Sequence, residues 1–428
     1  MAPLPPDSPL GLYLHVPFCS HVCPYCDFNT YAGQEALIPR YVAAMERDIA
    51  AQGALLGGRA AGTVFFGGGT PSLLPAEAIA GLVRTCRDAF AVATDAEVTL
   101  EANPNSVAEA YFAGLLAAGV NRLSIGVQTL HRRGLRVLGR QHEAEDARRA
   151  LQAARAAGFG NISLDLIFGW PGQTLDDWRH DLETVLGWDQ APEHLSLYSL
   201  IVEPGTPMAD AVARGILAVP DEDATADLYE AAIDLLERAG WVHYEVANFS
   251  RGTGGQGDRG TESSVVSRQS SDCCSESEPH VPVPLSPCPP VPLPAFASRH
   301  NAVYWRNGEY AGFGAGAHAR IGERRTMGHL LPRRYVEAIE AGESVWSNEE
   351  VLAAETQMGE TMMLGLRLLQ EGVGEGEFAA RHGIGLDKVY GEVIGEMVGL
   401  GLMERTGWSV RLTRRGLMVA NEVCARFV

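Results

Sequence analysis

Six short β-rich runs, each separated from the next by a helical stretch rich in Ala, Leu and charge, constrain this chain more than any other feature. The runs fall at residues 12–16, 63–66, 97–101, 122–127, 163–168 and 194–200. The helical stretches between them fall at 38–51, 75–89, 107–118, 145–157 and 175–186. Strands that alternate with helices pair in parallel, because each helical crossover returns the chain to the same end of the sheet. Six such units predict an α/β fold with an open, partial (βα)6 barrel, whose chemistry belongs at the C-terminal ends of the strands. The chain has 428 residues, enough for this core and a smaller second domain.

The first strand runs into LYLHVPFCSHVCPYCDF, which sets Cys19, Cys23 and Cys26 in a C-x3-C-x2-C array on the following loop. Three thiolates on a compact loop can hold three irons of a cubane and leave the fourth open to a small molecule. Zinc is the alternative, with His15 or His21 as its fourth ligand. The eight cysteines are sparse and bunched, unlike a secreted disulfide framework, so the early trio reads as metal ligation in a reducing compartment. Cys86 and Cys424 lie in helical sequence and read as small buried hydrophobes.

Polar residues recur where the other strands end. The second strand ends in FFGGGTPSLL, where Gly67, Gly68 and Gly69 permit close backbone approach and Thr70 adds a hydroxyl. The third ends in LEANP with Glu101, and the fourth in NRLSIGVQT with Gln128, followed by LGRQH with Arg140. The fifth gives SLDLIFGWPGQT with Asp165, and Tyr13 lies on the first. Acceptors for an ammonium and for ribose hydroxyls, with a cation for a carboxylate, suit a zwitterionic, polyhydroxylated ligand. Glu203, in LIVEPGTPM, is a further candidate.

The cysteine array after a strand, Tyr25 before the third cysteine and the GGGTPS turn resemble the radical S-adenosylmethionine (SAM) superfamily. That resemblance implies a 4Fe-4S cluster on Cys19, Cys23 and Cys26. Its open iron would chelate the methionine end of SAM, whose reductive cleavage yields a 5′-deoxyadenosyl radical. Similarity to the coproporphyrinogen-oxidase-like branch implies cofactor contacts from Tyr13, Gly68, Gly69, Thr70, Glu101, Gln128, Arg140 and Asp165.

Farther on, RHNAVYWRNGEYAGFGAGAHA resembles the H-N-x-x-Y-W motif of HemW-type heme chaperones. An imidazole is a good axial ligand for heme iron, and aromatic rings offer a porphyrin flat apolar surface. His300, Tyr304 and Trp305 are therefore expected at a heme, with His318 as an alternative ligand and the Gly-rich run closing the site. The resemblance implies a cytoplasmic protein that binds heme and passes it to an acceptor protein, with an electron donor as second partner; the sequence identifies neither partner. The alternative is an oxygen-independent coproporphyrinogen III dehydrogenase of porphyrin biosynthesis. Two departures count against that activity: Phe28 stands where the dehydrogenase has a further cysteine, and little chain precedes Cys19. No catalytic residue is assigned.

Domain boundaries follow from shifts in composition. Residues 1–250 form the core, 251–297 a Gly-, Ser- and Pro-rich insertion expected to be disordered, 298–345 the segment completing the core, and 346–428 a second domain. Cys273, Cys274, Cys288 and His280 in the insertion fit no metal-site spacing, and a translated intron is the alternative origin of the segment. It abuts the H-N-x-x-Y-W motif and could displace His300. Helical spacing at 351–369 and 388–403, then a hairpin at 404–413, suggest a winged-helix-like domain. From 349 to 428 there are 12 acidic against 8 basic residues, and the whole chain carries a formal charge of -19, so nucleic-acid binding is disfavoured. No run of eighteen apolar residues predicts a membrane span, and MAPLPPDSPL has the makings of neither a secretory signal nor a transit peptide.

Overall fold

A computed structural model describes residues 9–252 and 292–428. Six strands form the barrel: β1 (Leu10–Val16), β2 (Ala60–Gly68), β3 (Ala91–Ala102), β4 (Arg122–Gln128), β5 (Ile162–Phe168) and β6 (His194–Ser199). They pair in parallel in chain order. The crossovers are α1 (Ile38–Leu55), α2 (Ala76–Ala89), α3 (Glu109–Ala117), α4 (Ala144–Ala157) and α5 (Leu175–Leu186), with α6 (Glu222–Arg238) after the last strand.

Period-two alternation along the strands sorts their side chains between two faces. Leu12, Leu14, Val64, Phe66, Val98, Leu100, Leu123, Ile125, Leu164 and Leu166 pack outward with the apolar stripes of the helices in one continuous core. The intervening residues turn inward, and most are polar: Tyr13, His15, Thr63, Glu97, Thr99, Glu101, Arg122, Ser124, Ser163, Asp165, His194 and Ser196. The barrel is therefore dry on the outside of its sheet and polar within.

The sheet continues past both barrel edges. The hairpin β7 (Trp241–Glu245) and β8 (Asn248–Arg251) adds antiparallel to β6. At the other edge β9 (Tyr310–Phe313) lies parallel to β1, followed by the antiparallel strands β10 (His318–Ile321), β11 (Arg324–Gly328) and β12 (Trp346–Val351). The expected six-stranded core is thus the centre of a twelve-stranded sheet. Edge strands of four to six residues with mixed polarity carry too weak a periodic signal to stand out in sequence.

Between these edges α7 (Arg299–Trp305), the helix of the H-N-x-x-Y-W motif, enters the barrel. Ser298 caps it by accepting from the Asn301 amide. Glu97 accepts from the amides of Arg299 (3.0 Å) and His300 (2.9 Å), placing a carboxylate at the positive end of the helix. Arg251 closes β8 and Ala297 is buried, so the chain is ordered at both ends of the expected insertion. Cys273, Cys274, Cys288 and His280 lie outside the described residues.

The C-terminal unit has its own core of Met362, Leu366, Phe378, Ile394, Met397, Val410 and Phe427. Three helices, α8 (Ala354–Gly365), α9 (Glu375–His382) and α10 (Leu386–Gly399), pack with a small antiparallel sheet of β13 (Val373–Gly374), β15 (Ser409–Leu412) and β14 (Met403–Arg405). This is the expected winged-helix-like arrangement. Its first helix begins at Ala354 instead of residue 351, because β12 takes the preceding residues. Ion pairs Arg306–Glu371 (2.7 Å) and Arg367–Glu245 (2.6 Å) fasten it to the barrel.

Candidate functional site

The three cysteines occupy the loop between β1 and α1, and that loop is sewn to the turn after β2. The amides of Gly69 and Thr70 donate to the carbonyls of Val16 and Phe18, each at 2.8 Å. Gly68 has φ +113, and an added Cβ would lie 2.6 Å from the His15 ring, so only glycine fits. Thr70 Oγ1 reaches Cys19 Sγ at 3.5 Å, and Arg140 Nη1 reaches Cys23 Sγ at 3.8 Å. Burial pushes the thiols of Cys19 and Cys26 up, so their thiolates need a cation to hold them. Tyr25 anchors the loop against Leu138, Ile167, Trp170 and Met208, while the Met208 amide donates to Pro24 O at 2.9 Å. Glu203 lies at the start of that docking segment, where its carbonyl accepts from the Thr206 hydroxyl at 2.7 Å.

Thiols that share one zinc must converge on a single point, whereas cubane ligands each hold a different iron. Among the described residues no three His, Cys, Asp or Glu side chains converge in that way. His15 is committed elsewhere: its ring nitrogens meet Tyr13 Oη (3.0 Å) and Asn29 O (2.9 Å). The donor set, three thiols on one loop with hydrogen-bond donors at two of them, fits an iron-sulfur cubane. Cys86 is fully buried in α2, with its thiol pushed up to about 12, and Cys424 ends a short helix.

Of the residues expected around the cofactor, Gly68, Gly69, Thr70, Glu101 and Arg140 gather at this loop, while Tyr13, Gln128 and Asp165 stand on β1, β4 and β5. Glu101 accepts from the Gly68 amide at 3.2 Å. Burial first, and the nearby Asp165 second, raise its carboxyl to about 8. Arg140 forks between Asn103 Oδ1 (2.6 Å) and Gly126 O (2.9 Å), and Asn103 Nδ2 donates to Thr70 Oγ1 at 3.1 Å. Asn103 thus ties the arginine to the glycine turn; the LEANP run contains it, but the sequence assigned it no role. Gln128 stands at a bulge with φ +68, a conformation that costs a non-glycine residue about 1 kcal/mol. Asp165 sits in mid-strand, short of the strand tip, with Ser124 Oγ 2.9 Å from both carboxylate oxygens.

Above these groups opens a cavity of about 430 Å³ lined by Tyr13, His15, Gly68 and Glu101 on its barrel side. Phe28 and Asn29 of the cysteine loop form one wall, and Tyr304, Tyr310, His318 and Leu330 complete it. The H-N-x-x-Y-W motif divides between two places. Tyr304 lines the cavity. His300 lies behind it, 1% exposed, stacked on Phe65 with 4.9 Å between ring centroids. Its Nδ1 meets Thr63 Oγ1 and its Nε2 meets Tyr304 Oη, both at 2.8 Å. Burial takes the imidazole down to about 3, so it is neutral, and it presents no free nitrogen to the cavity. Trp305 faces the C-terminal unit, its ring beneath the Arg367 guanidinium at 4.2 Å.

Residues 13–185 match the family model of the radical SAM superfamily, and residues 352–419 match that of the HemN C-terminal domain. The chain is 34% identical over 417 residues to the heme chaperone HemW of Bacillus subtilis, covering 97% of this chain and 98% of that protein. It is 35% identical to HemW of Mycobacterium tuberculosis (99% and 95% covered) and 34% identical to bovine radical S-adenosyl methionine domain-containing protein 1, mitochondrial (86% and 73%). Among solved structures, coproporphyrinogen III oxidase (HemN) of Escherichia coli superposes with a TM-score of 0.75 at 20% identity, covering 99% of this chain and 90% of that one. At that identity the likeness shows the fold.

Proposed function

The chain belongs to the HemW family of the radical SAM superfamily, and on that premise we propose that it is a heme chaperone whose heme site adjoins a SAM-binding 4Fe-4S centre. The observation that carries the proposal is one continuous cavity. Its floor is the glycine turn and Glu101 beside the three-cysteine loop, and its wall is Tyr304, Tyr310 and His318 from the segment that carries the HemW-type motif.

Bound by Cys19, Cys23 and Cys26, a 4Fe-4S cluster would supply one electron at a time and an open iron for the methionine end of SAM. The remaining steps belong to the chain. Arg140 and Thr70 direct hydrogen bonds at sulfur and steady the charge on the thiolates. Glu101, neutral in the free site, becomes an acceptor once an ammonium approaches. Gly68 and Gly69 let a ligand lie against backbone, Gln128 and Asp165 offer acceptors to ribose hydroxyls, and Tyr13 closes the floor. Heme would rest on the aromatic wall until an acceptor protein draws it away. We assign this work to the cytoplasm; no described helix is long and apolar enough to cross a membrane.

Anaerobic counts of iron, sulfide and heme on the purified full chain test the proposal, together with incubation with coproporphyrinogen III, SAM and a reductant. About four irons, four sulfides and one heme per chain are expected, with no porphyrinogen product. Appearance of protoporphyrinogen IX would make the protein a dehydrogenase instead.

A further inference from the structure

Three imidazoles stand at or directly behind the cavity, and they are not equivalent. His15 spends both ring nitrogens on Tyr13 and Asn29, and His300 spends both on Thr63 and Tyr304. His318 makes no side-chain hydrogen bond within the described residues and is exposed at the cavity. An axial heme ligand needs a lone pair on nitrogen, open access to a flat macrocycle and apolar surface beside it. We infer that His318, the first residue of β10, is the axial ligand of the heme iron, and that His300 is a buried positioning residue holding Tyr304 at the cavity wall.

The surroundings of His318 fit a porphyrin. Phe28, 68% exposed, and Leu330, 50% exposed, give the mouth of the cavity an apolar rim, and Tyr304 and Tyr310 offer ring surface inside it. The turn leading to His318 is rigid. Asn29 Nδ2 donates to Ala315 O and Leu330 O, both at 3.0 Å, and Tyr31 Oη donates to Asn29 Oδ1 at 2.9 Å. Gly316 has φ +75, and a Cβ there would lie 2.4 Å from Asn29 Nδ2, so the turn fits against the cysteine loop only as glycine. Asn29 lies three residues beyond Cys26, so the same loop that carries the cysteines fixes the proposed ligand. Partial enclosure by the cavity wall, and then the neighbouring Arg325, hold the His318 imidazole below its ordinary pKa, in the neutral form that binds metal.

The inference rests on the heme-binding reading, and hemin titration of the full-length protein separates the two. Wild-type protein is expected to give a Soret band and an electron paramagnetic resonance spectrum of imidazole-ligated iron. His318→Ala is expected to lose that ligand signature and to weaken hemin binding roughly tenfold or more, the scale on which ligand-shell changes act. Added free imidazole should restore the spectrum. His300→Gln, chosen to fill the buried site, is expected to keep the signature. Wild-type protein that binds no hemin sinks the heme reading and this inference together. Hemin bound by His318→Ala with an unaltered spectrum overturns the inference alone, as does a His300→Gln variant that keeps its unfolding temperature but loses the signature.

Discussion

The carboxylate of Glu97 accepts a 2.9 Å hydrogen bond from the backbone amide of His300, 203 residues later in the chain. The same carboxylate takes the Arg299 amide, so one buried acid seats the first turn of α7. Gly11, Thr63 and Glu97 are paired in register across β1, β2 and β3, and the His300 ring fills the space that the missing side chain of Gly11 leaves. The helix plugs the barrel, and its imidazole stacks beneath the cavity floor.

Glu97→Ala leaves two amides at a helix start without their charged acceptor. It is expected to lower stability by roughly 2 kcal/mol, the scale of a hydrogen bond to a charged group. Glu97→Gln, which keeps one acceptor oxygen, should lose less. Denaturant unfolding of the three proteins checks the order, and equal midpoints would show that the helix is seated by packing alone.

The cysteines should divide sharply. Replacing Cys19, Cys23 or Cys26 by alanine is expected to abolish most of the iron and sulfide of anaerobically prepared protein. Cys86→Ala should retain both, because that thiol is enclosed in the α2 packing. Iron retained after loss of any one of the trio would exclude the cubane.

Glu101 predicts a pH dependence with a definite sign. Its carboxyl moves from an ordinary 4.5 to about 8 in the fold, so the fold favours the neutral form. That contribution to stability is complete below 4.5 and is lost as pH rises through about 8. Glu101→Gln should flatten the fall of the unfolding midpoint across this range in ligand-free protein. SAM binding should run the other way in wild type, tightening toward pH 8 as the carboxylate becomes available to the ammonium, and losing that trend in the variant. Parallel pH profiles for the two proteins would remove Glu101 from the ligand's ammonium.

Arg140 holds a fork that lysine cannot reproduce. Arg140→Lys keeps the charge but gives up the simultaneous contacts to Asn103 and Gly126. SAM affinity measured by calorimetry is expected to fall roughly tenfold, about 1.4 kcal/mol, with iron content unchanged. Unchanged affinity would make Arg140 a structural strut.

Much of this was legible in the sequence because chemistry and periodicity coincide in it. The runs that became β1 to β6 alternate apolar and polar residues between helical stretches, and a period-two pattern repeated six times keeps its signal without context. The cysteine array, the GGGT turn, Glu101 and Arg140 carry spacing and residue type together. The relations of Glu97, Asn29 and Asn103 could not be read, since each consists of hydrogen bonds across tens to hundreds of residues. His300 and His318 illustrate the limit best. The first stands in the motif and the second beside it, yet only folding decides which ring keeps a free nitrogen.

The plug has a temporal meaning. On the ribosome the three cysteines emerge long before residue 300, so the barrel around them lacks its stopper until α7 has followed. Until then the inner polar face stands open to water at the end opposite the glycine turn. A cluster on the cysteine loop would therefore meet a barrel corked from below only if it were installed after α7 has docked.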